Sequence, residues 1–140
     1  MNERTAAPTP DLPPAIERAL NDFRAAVEAV FQDRLVSVVL FGSAAEGRIR
    51  ATSDVNLAIV TRNYTREDAE RLREPLTLAH AAVGLNAMFL AAGEVPAAAE
   101  AFAAKFADIR RRRRVLAGTD VFAGVAIPRA AEIHRVKQVL

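Results

Sequence analysis

Cysteine is absent from all 140 residues, so disulfides, thiolate catalysis and cysteine-based zinc sites are excluded. Histidine is nearly absent. His80 and His134 lie far apart, with no HExxH-like spacing that would hold a metal. No apolar run approaches the ~20 residues that span a bilayer. The N-terminus, Met1-Asn2-Glu3-Arg4-Thr5, lacks the apolar core of a signal peptide, and a cytoplasmic protein is expected. A large charge imbalance is also missing. The formal net charge is +2 with a pI near 9.7, a balance that does not by itself indicate a nucleic-acid binder. Repeats and an interdomain linker are lacking too, and the length suits one domain with a real core.

What is there is a hydrophobic pattern of ordinary globular type, with 51% hydrophobic and 26% charged residues. Residues 1–10 are polar and rich in Pro and Ala, which predicts a disordered lead-in to a domain over 11–140. Pro13 and Pro14 suit a helix start, and Ile16, Leu20, Phe23, Val27 and Val30 continue it at three-and-four spacing to about Arg34. Leu35 to Phe41 reads as a buried strand ending at Gly42. Asp54 to Val60 alternates, with Val55, Leu57 and Ile59 on one face and Asp54, Asn56 and Ala58 on the other.

Thr65 to Asp68 resembles a capping box, with Asp68 in place of the usual Glu, before a helix that Pro75 should kink or split. Gly84 closes that helix, and Leu85 to Leu90 reads as a third strand. Gly93 to Pro96 reads as a turn. Ala97 to about Arg114 then reads as a helix with Phe102, Phe106 and Ile109 as its apolar stripe and Gly118 as its C-cap. Pro128 can start a last helix that reaches Leu140 with no stop signal, which suggests a truncated helix or one completed by a partner. The order predicts a small α/β (α+β) domain with a mixed sheet flanked by helices. The connection from Phe41 to Asp54 is too short for a comfortable parallel crossover.

Chemistry concentrates in Leu40-Phe41-Gly42-Ser43-Ala44-Ala45-Glu46-Gly47 and in Ser53-Asp54-Val55-Asn56-Leu57. A Gly-Ser turn opening a short helix offers N–H groups and a positive dipole end to a phosphate. Asp54 and Asn56, at i and i+2 of a strand, project together and can reach a metal ion there. Arg48 and Arg50 lie between the two segments. The arginine run from Arg110 to Arg114 reads either as a solvated helix end or as an anion-binding patch. Little aromatic interleaving accompanies it, so base stacking is not indicated.

These residues resemble a minimal nucleotidyltransferase of the DNA polymerase β superfamily. Gly42, Ser43, Gly47, Ser53, Asp54 and Leu57 match that family's Gly-Ser, downstream glycine and Ser-Asp-hydrophobic-Asp-Leu in type and spacing, and the resemblance spans roughly residues 14–135. It implies a nucleoside triphosphate bound by Gly42, Ser43, Gly47, Arg48, Arg50 and Ser53, with Asp54 and Asn56 as catalytic and Mg²⁺-holding positions. Transfer of a nucleotidyl group calls for two magnesium ions about 4 Å apart on shared carboxylates, and magnesium demands hard oxygen ligands.

This sequence departs from that requirement twice. Asn56 stands where the second aspartate belongs, and the third strand carries Asn86 rather than an acid, with Glu94 lying past its end. Ala44 and Glu46 also replace positions that are often arginine. The expectation is a degenerate site that binds nucleotide with at most one Mg²⁺, in a regulatory role. The alternatives are an active transferase moving NMP to a protein, small molecule or RNA end, and an antitoxin-like module for a helical partner bound through the last helix.

Overall fold

A computed structural model describes residues 12–48 and 54–127. The predicted lead-in over 1–10 and the helix expected after Pro128 lie outside those residues. Helix α1 (Pro14–Phe31) starts with proline at its first position and buries Ile16, Leu20, Phe23 and Val27 as the spacing predicts, while Phe31 is buried in place of the half-buried Val30 and the helix ends short of the expected Arg34. A short 3-10 turn over Gln32–Arg34 leads into strand β1 (Leu35–Phe41), and a second, Gly42–Glu46, follows it. Strand β2 (Val55–Thr61) is followed by helix α2 (Arg66–Val83) and strand β3 (Leu85–Ala91). Helices α3 (Val95–Ala101) and α4 (Ala103–Arg111) precede strand β4 (Arg113–Gly118).

The four strands form one mixed sheet in the order β3-β2-β1-β4. β1 runs antiparallel to both β2 and β4, and β2 runs parallel to β3. The alternation in β2 decides which helices cover which face. Val55, Leu57 and Ile59 join Val38 and Leu40 beneath α1 and α2, while Ala58 and Val60 join Val39 and Phe41 beneath α3 and α4. Phe106 and Phe122, with ring centroids 5.6 Å apart, fill the second layer. No helix among the described residues is long and apolar enough to cross a membrane.

Two predicted elements differ. Pro75 does not split its helix, since α2 is continuous across it. The missing N–H removes one backbone hydrogen bond, but Leu72 and Ala79 on either side are buried in the layer shared with α1 and keep the helix from breaking there.

The predicted helix from Ala97 to Arg114 is instead two short helices and a strand. The chain breaks at Phe102, whose φ of −124° and ψ of 52° are not helical. Phe102 is 63% exposed rather than part of the apolar stripe, whereas Phe106 and Ile109 are buried as that stripe requires. Arg113 and Arg114 turn into β4, and Gly118 ends that strand instead of capping a helix. The outer edge of β1 explains the difference. Its N–H and C=O groups need partners, and a strand there satisfies them at register Val39↔Val115 and Phe41↔Arg113.

One ion pair, between the buried Asp68 and the half-buried Arg34, locks the end of the sheet where β1 begins. Arg34 donates Nη1 to Asp68 Oδ2 at 2.9 Å and Nη2 to Asp68 Oδ1 at 3.0 Å. The capping box predicted at Thr65 is present: Asp68 N–H donates to Thr65 Oγ1 at 3.1 Å, and Thr65 N–H donates to Asp68 Oδ2 at 3.0 Å. Chiefly through the Arg34 hydrogen bonds, these contacts hold the Asp68 carboxyl well below the usual carboxylate range, against the opposing effect of burial. The unfolded chain therefore takes up this proton at higher pH than the folded one, so the stabilisation is complete above about pH 4 and fades as pH falls below it. Asp68→Asn is expected to melt several degrees below the parent at pH 7, with the gap narrowing toward pH 3. Paired thermal melts at the two pH values check this, and a gap of constant size would refute it.

Candidate functional site

The opposite edge of the sheet gathers the motif residues. β1 ends there at Phe41, β2 and β3 begin there, and β4 begins there at Arg113. Gly42 takes φ +83° and Gly47 φ +75°, so both ends of the 3-10 turn use the left-handed backbone that glycine adopts without strain. Gly47 N–H donates to Ala44 O, and Arg48 N–H donates to Ser43 O at 2.9 Å, which closes the turn on itself. Gly42 N–H, one of the donors expected to meet a phosphate, already donates to Arg112 O at 3.0 Å. Ser43 is half-buried at the centre of the turn and Arg48 is exposed at its exit. Arg50 and Ser53 lie outside the described residues.

Asp54 is exposed immediately before β2, and Asn56 is half-buried within it. In-register neighbours share a face, so the pairing Phe41↔Asn56 and Asn56↔Asn86 puts both asparagines on the face covered by α3 and α4. A Cβ added at Gly42 would meet Asn56 Nδ2 at 3.5 Å, so this side chain ends beside the glycine turn. Asn86 is exposed and donates Nδ2 to Gly84 O at 3.4 Å. Glu94 follows the C-terminal end of β3, which pairs with Thr61. It therefore sits about 20 Å along the sheet from Asp54 and contributes nothing here. Among the described residues, no group of three or more His, Cys, Asp or Glu side chains is placed to hold a metal ion. Two neutral amides beside one carboxylate do not fit a pair of magnesium ions.

The arginine run is divided: Arg110 and Arg111 form the exposed last turn of α4, as the helix-end reading expects, while Arg112 to Arg114 leave the helix and are half-buried. Arg110 donates to Val125 O at 3.0 Å, and Arg111 and Arg112 both bind Asp108. Arg112 also stands 3.7 Å from Glu46, which ties the 3-10 turn to the end of α4. Arg113 makes a bidentate contact with Asp120 and lowers the pKa of that carboxyl. Arg114 is likewise engaged.

A cation that the motif does not single out stands nearby. Lys105 Nζ lies 5.7 Å from the centroid of the Phe41 ring, over the face that carries Asn56 and Asn86. Its one sequence signal is scarcity, since Lys105 and Lys137 are the only lysines in an arginine-rich chain. A groove of about 530 Å³ between α1 and α2, lined by Phe23, Pro75, Leu78 and Ala79 among others, lies on the other side of the sheet from these groups.

Fold and edge together define a three-layer α/β domain of nucleotidyltransferase-like topology. The chain belongs to the nucleotidyltransferase domain family, which it matches over residues 20–109. Among curated proteins, none matches the sequence. Among solved structures it is similar to spectinomycin adenyltransferase AAD(9) from Enterococcus faecialis, crystallised with ATP and spectinomycin, at 13% identity and a TM-score of 0.67. That match covers 85% of this chain and 63% of the adenyltransferase, so this chain spans less than two thirds of that protein. A toxin–antitoxin complex with AMP-PNP is similar at 16% identity and TM-score 0.50, covering 84% of this chain and 86% of that one. A tri-AMPylated Shewanella oneidensis HEPN toxin bound to its MNT antitoxin is similar at 13% identity and TM-score 0.50, covering 89% and 90%. At such identities the likeness concerns the fold alone.

The glycine turn yields a direct test. Gly42→Ala meets no crowding, because 3.5 Å is an ordinary contact. It does force a Cβ into the left-handed region, at roughly 1–2 kcal/mol. Urea denaturation is expected to show a loss of that size, and an unchanged midpoint would remove the argument.

Proposed function

We propose that this domain binds a nucleoside triphosphate at the Gly42–Ser43 turn without transferring its nucleotidyl group, and acts as a regulatory nucleotide-binding protein. The observation that carries the reading is the in-register pair Asn56↔Asn86 beside Asp54. Each amide offers an oxygen but no charge, and in-line displacement on a triphosphate needs its developing negative charge offset. Asp54 and Asn56 remain as ligands for at most a single magnesium ion. Ser43 and Arg48 line the approach to the turn, with Arg50 and Ser53 on the loop as further contacts. The turn itself is held by Gly47 and by the Arg112–Glu46 pair.

Calorimetric titration with ATP, together with incubation of α-labelled ATP, Mg²⁺ or Mn²⁺ and candidate acceptors, tests this function. ATP binding without label transfer is the expected result. Transfer by the parent protein would instead identify a working transferase, and no binding of ATP would end the reading. Restoring charge is the complementary test. Asn56→Asp with Asn86→Asp is expected to tighten magnesium-dependent ATP binding about tenfold, or roughly 1.4 kcal/mol; an unchanged affinity would mean the two positions do not face the ligand.

A second reading, a module for a helical protein partner, has one supporting observation. Leu78 is 63% exposed within the apolar groove between α1 and α2. Co-elution with the purified product of an adjacent gene, lost in Leu78→Glu, is the outcome this reading requires.

A further inference from the structure

The geometry points to Lys105 as the group that neutralises the triphosphate where a second metal ion has no ligands, which makes nucleotide binding here independent of divalent cations. This inference rests on the nucleotide-binding reading above and adds to it the source of positive charge. Three observations lead to it.

First, the site edge is poor in negative charge. Asp54 is the one carboxylate of the motif, Asn56 and Asn86 are neutral, and Glu46 is turned to Arg112. A magnesium ion brought in by ATP would find few anionic ligands from the protein.

Second, apart from Arg48 at the exit of the turn, the described arginines near this edge already have partners. Arg111 and Arg112 hold Asp108, Arg113 holds Asp120, and Arg110 is drawn to Val125 O. A phosphate would have to displace a carboxylate to recruit any of those with a carboxylate partner. Lys105 differs from them. It is exposed, and the contact described for its ammonium is with the π face of Phe41. That contact is weak at an exposed position, about 0.5–1 kcal/mol, and leaves its N–H donors available to phosphate oxygens.

Third, it stands over the right place. Phe41 is the residue immediately before Gly42, and its cross-strand partner is Asn56. Lys105 projects from α4 over that ring, so its ammonium stands above the face on which Asn56 and Asn86 lie, next to the Gly42–Ser43 turn. A lysine ammonium is a compact point charge with three donors on a flexible stem, suited to a phosphate that no bidentate fork awaits. In an intact two-carboxylate site the same ammonium would face two anions and form ion pairs with them. Here the side chains at those two positions on that face are neutral amides.

The experiment is calorimetric titration of ATP into the full chain, once with excess Mg²⁺ and once with EDTA, for the parent, Lys105→Gln and Lys105→Arg. The parent is expected to bind with affinities within about threefold of each other in the two buffers. Lys105→Gln is expected to weaken binding about tenfold or more in both, and Lys105→Arg to recover most of the loss. Circular dichroism melts of the exposed Lys105 variants separate a binding defect from misfolding. Parent binding that vanishes in EDTA, or a Lys105→Gln variant that binds like the parent, overturns the inference while leaving nucleotide binding intact. Failure of the parent to bind ATP in either buffer overturns the nucleotide-binding reading, and this inference with it.

Discussion

The architecture hangs on the contact between Arg34 and Asp68. Arg34 closes the 3-10 turn after α1 and precedes β1, while Asp68 sits in the first turn of α2. Besides the two hydrogen bonds to Asp68, Arg34 donates Nη1 to Asn63 Oδ1 and Nη2 to Val30 O, and its carbonyl accepts from Arg62 N–H at 2.8 Å. Its guanidinium also stacks over Phe31 at 5.1 Å. One side chain thereby joins the last turn of α1, the start of β1, the exit of β2 and the cap of α2. A buried carboxylate is tolerated only where such bonds answer it. With both helices pinned at this end, the sheet register follows, and the register is what sets Asn56 against Asn86 and Phe41 against Arg113.

The two edges of the sheet have opposite roles as a result. At the edge with Arg34, α1, β1 and α2 are tied by the bonds of that residue, and Tyr64 stacks on Phe89, 5.0 Å apart. At the other edge, the chain turns through glycines and leaves polar groups facing solvent. Rigid elements supporting an open polar rim suit a ligand site, since the scaffold carries the conformational cost and the rim remains free to bind. The clamp and the site are separated by the length of the strands, about 20 Å, so chemistry at the rim can change without loss of the fold. Asn56 and Asn86 lie at that rim.

Local signals made most of the fold legible in the sequence. The α1 stripe, the capping box at Thr65, the alternation in β2 and the third strand at Leu85 each rest on neighbours within a few residues, and each is present. The glycine turn and the Asp54–Asn56 spacing were legible for the same reason. The departures are cases in which a distant demand overrode a local preference. Pro75 is overruled by packing on α1, and an arginine run that favours helix in isolation becomes a strand because β1 needs a partner on its outer side. β4 carries no alternation that marks it, since its residues are half-buried on both faces. Lys105 was invisible for a related reason: nothing in its neighbourhood in the chain connects it to Phe41, 64 positions earlier.

The arginine run is engaged within the fold. Its charge is consumed in building the corner where α4 becomes β4, by Asp108 from within the helix, Glu46 from the glycine turn and Asp120 from the segment after β4. Surface ion pairs of this sort add little stability one at a time, but together they fix where the glycine turn stands relative to α4, and Gly42 N–H on Arg112 O does the same through the backbone. The corner therefore holds the turn and the face beneath Lys105 in a constant relation. Positive charge at this corner is thus divided by position: the arginines of the run are engaged in its construction, and Lys105 stands over an aromatic ring.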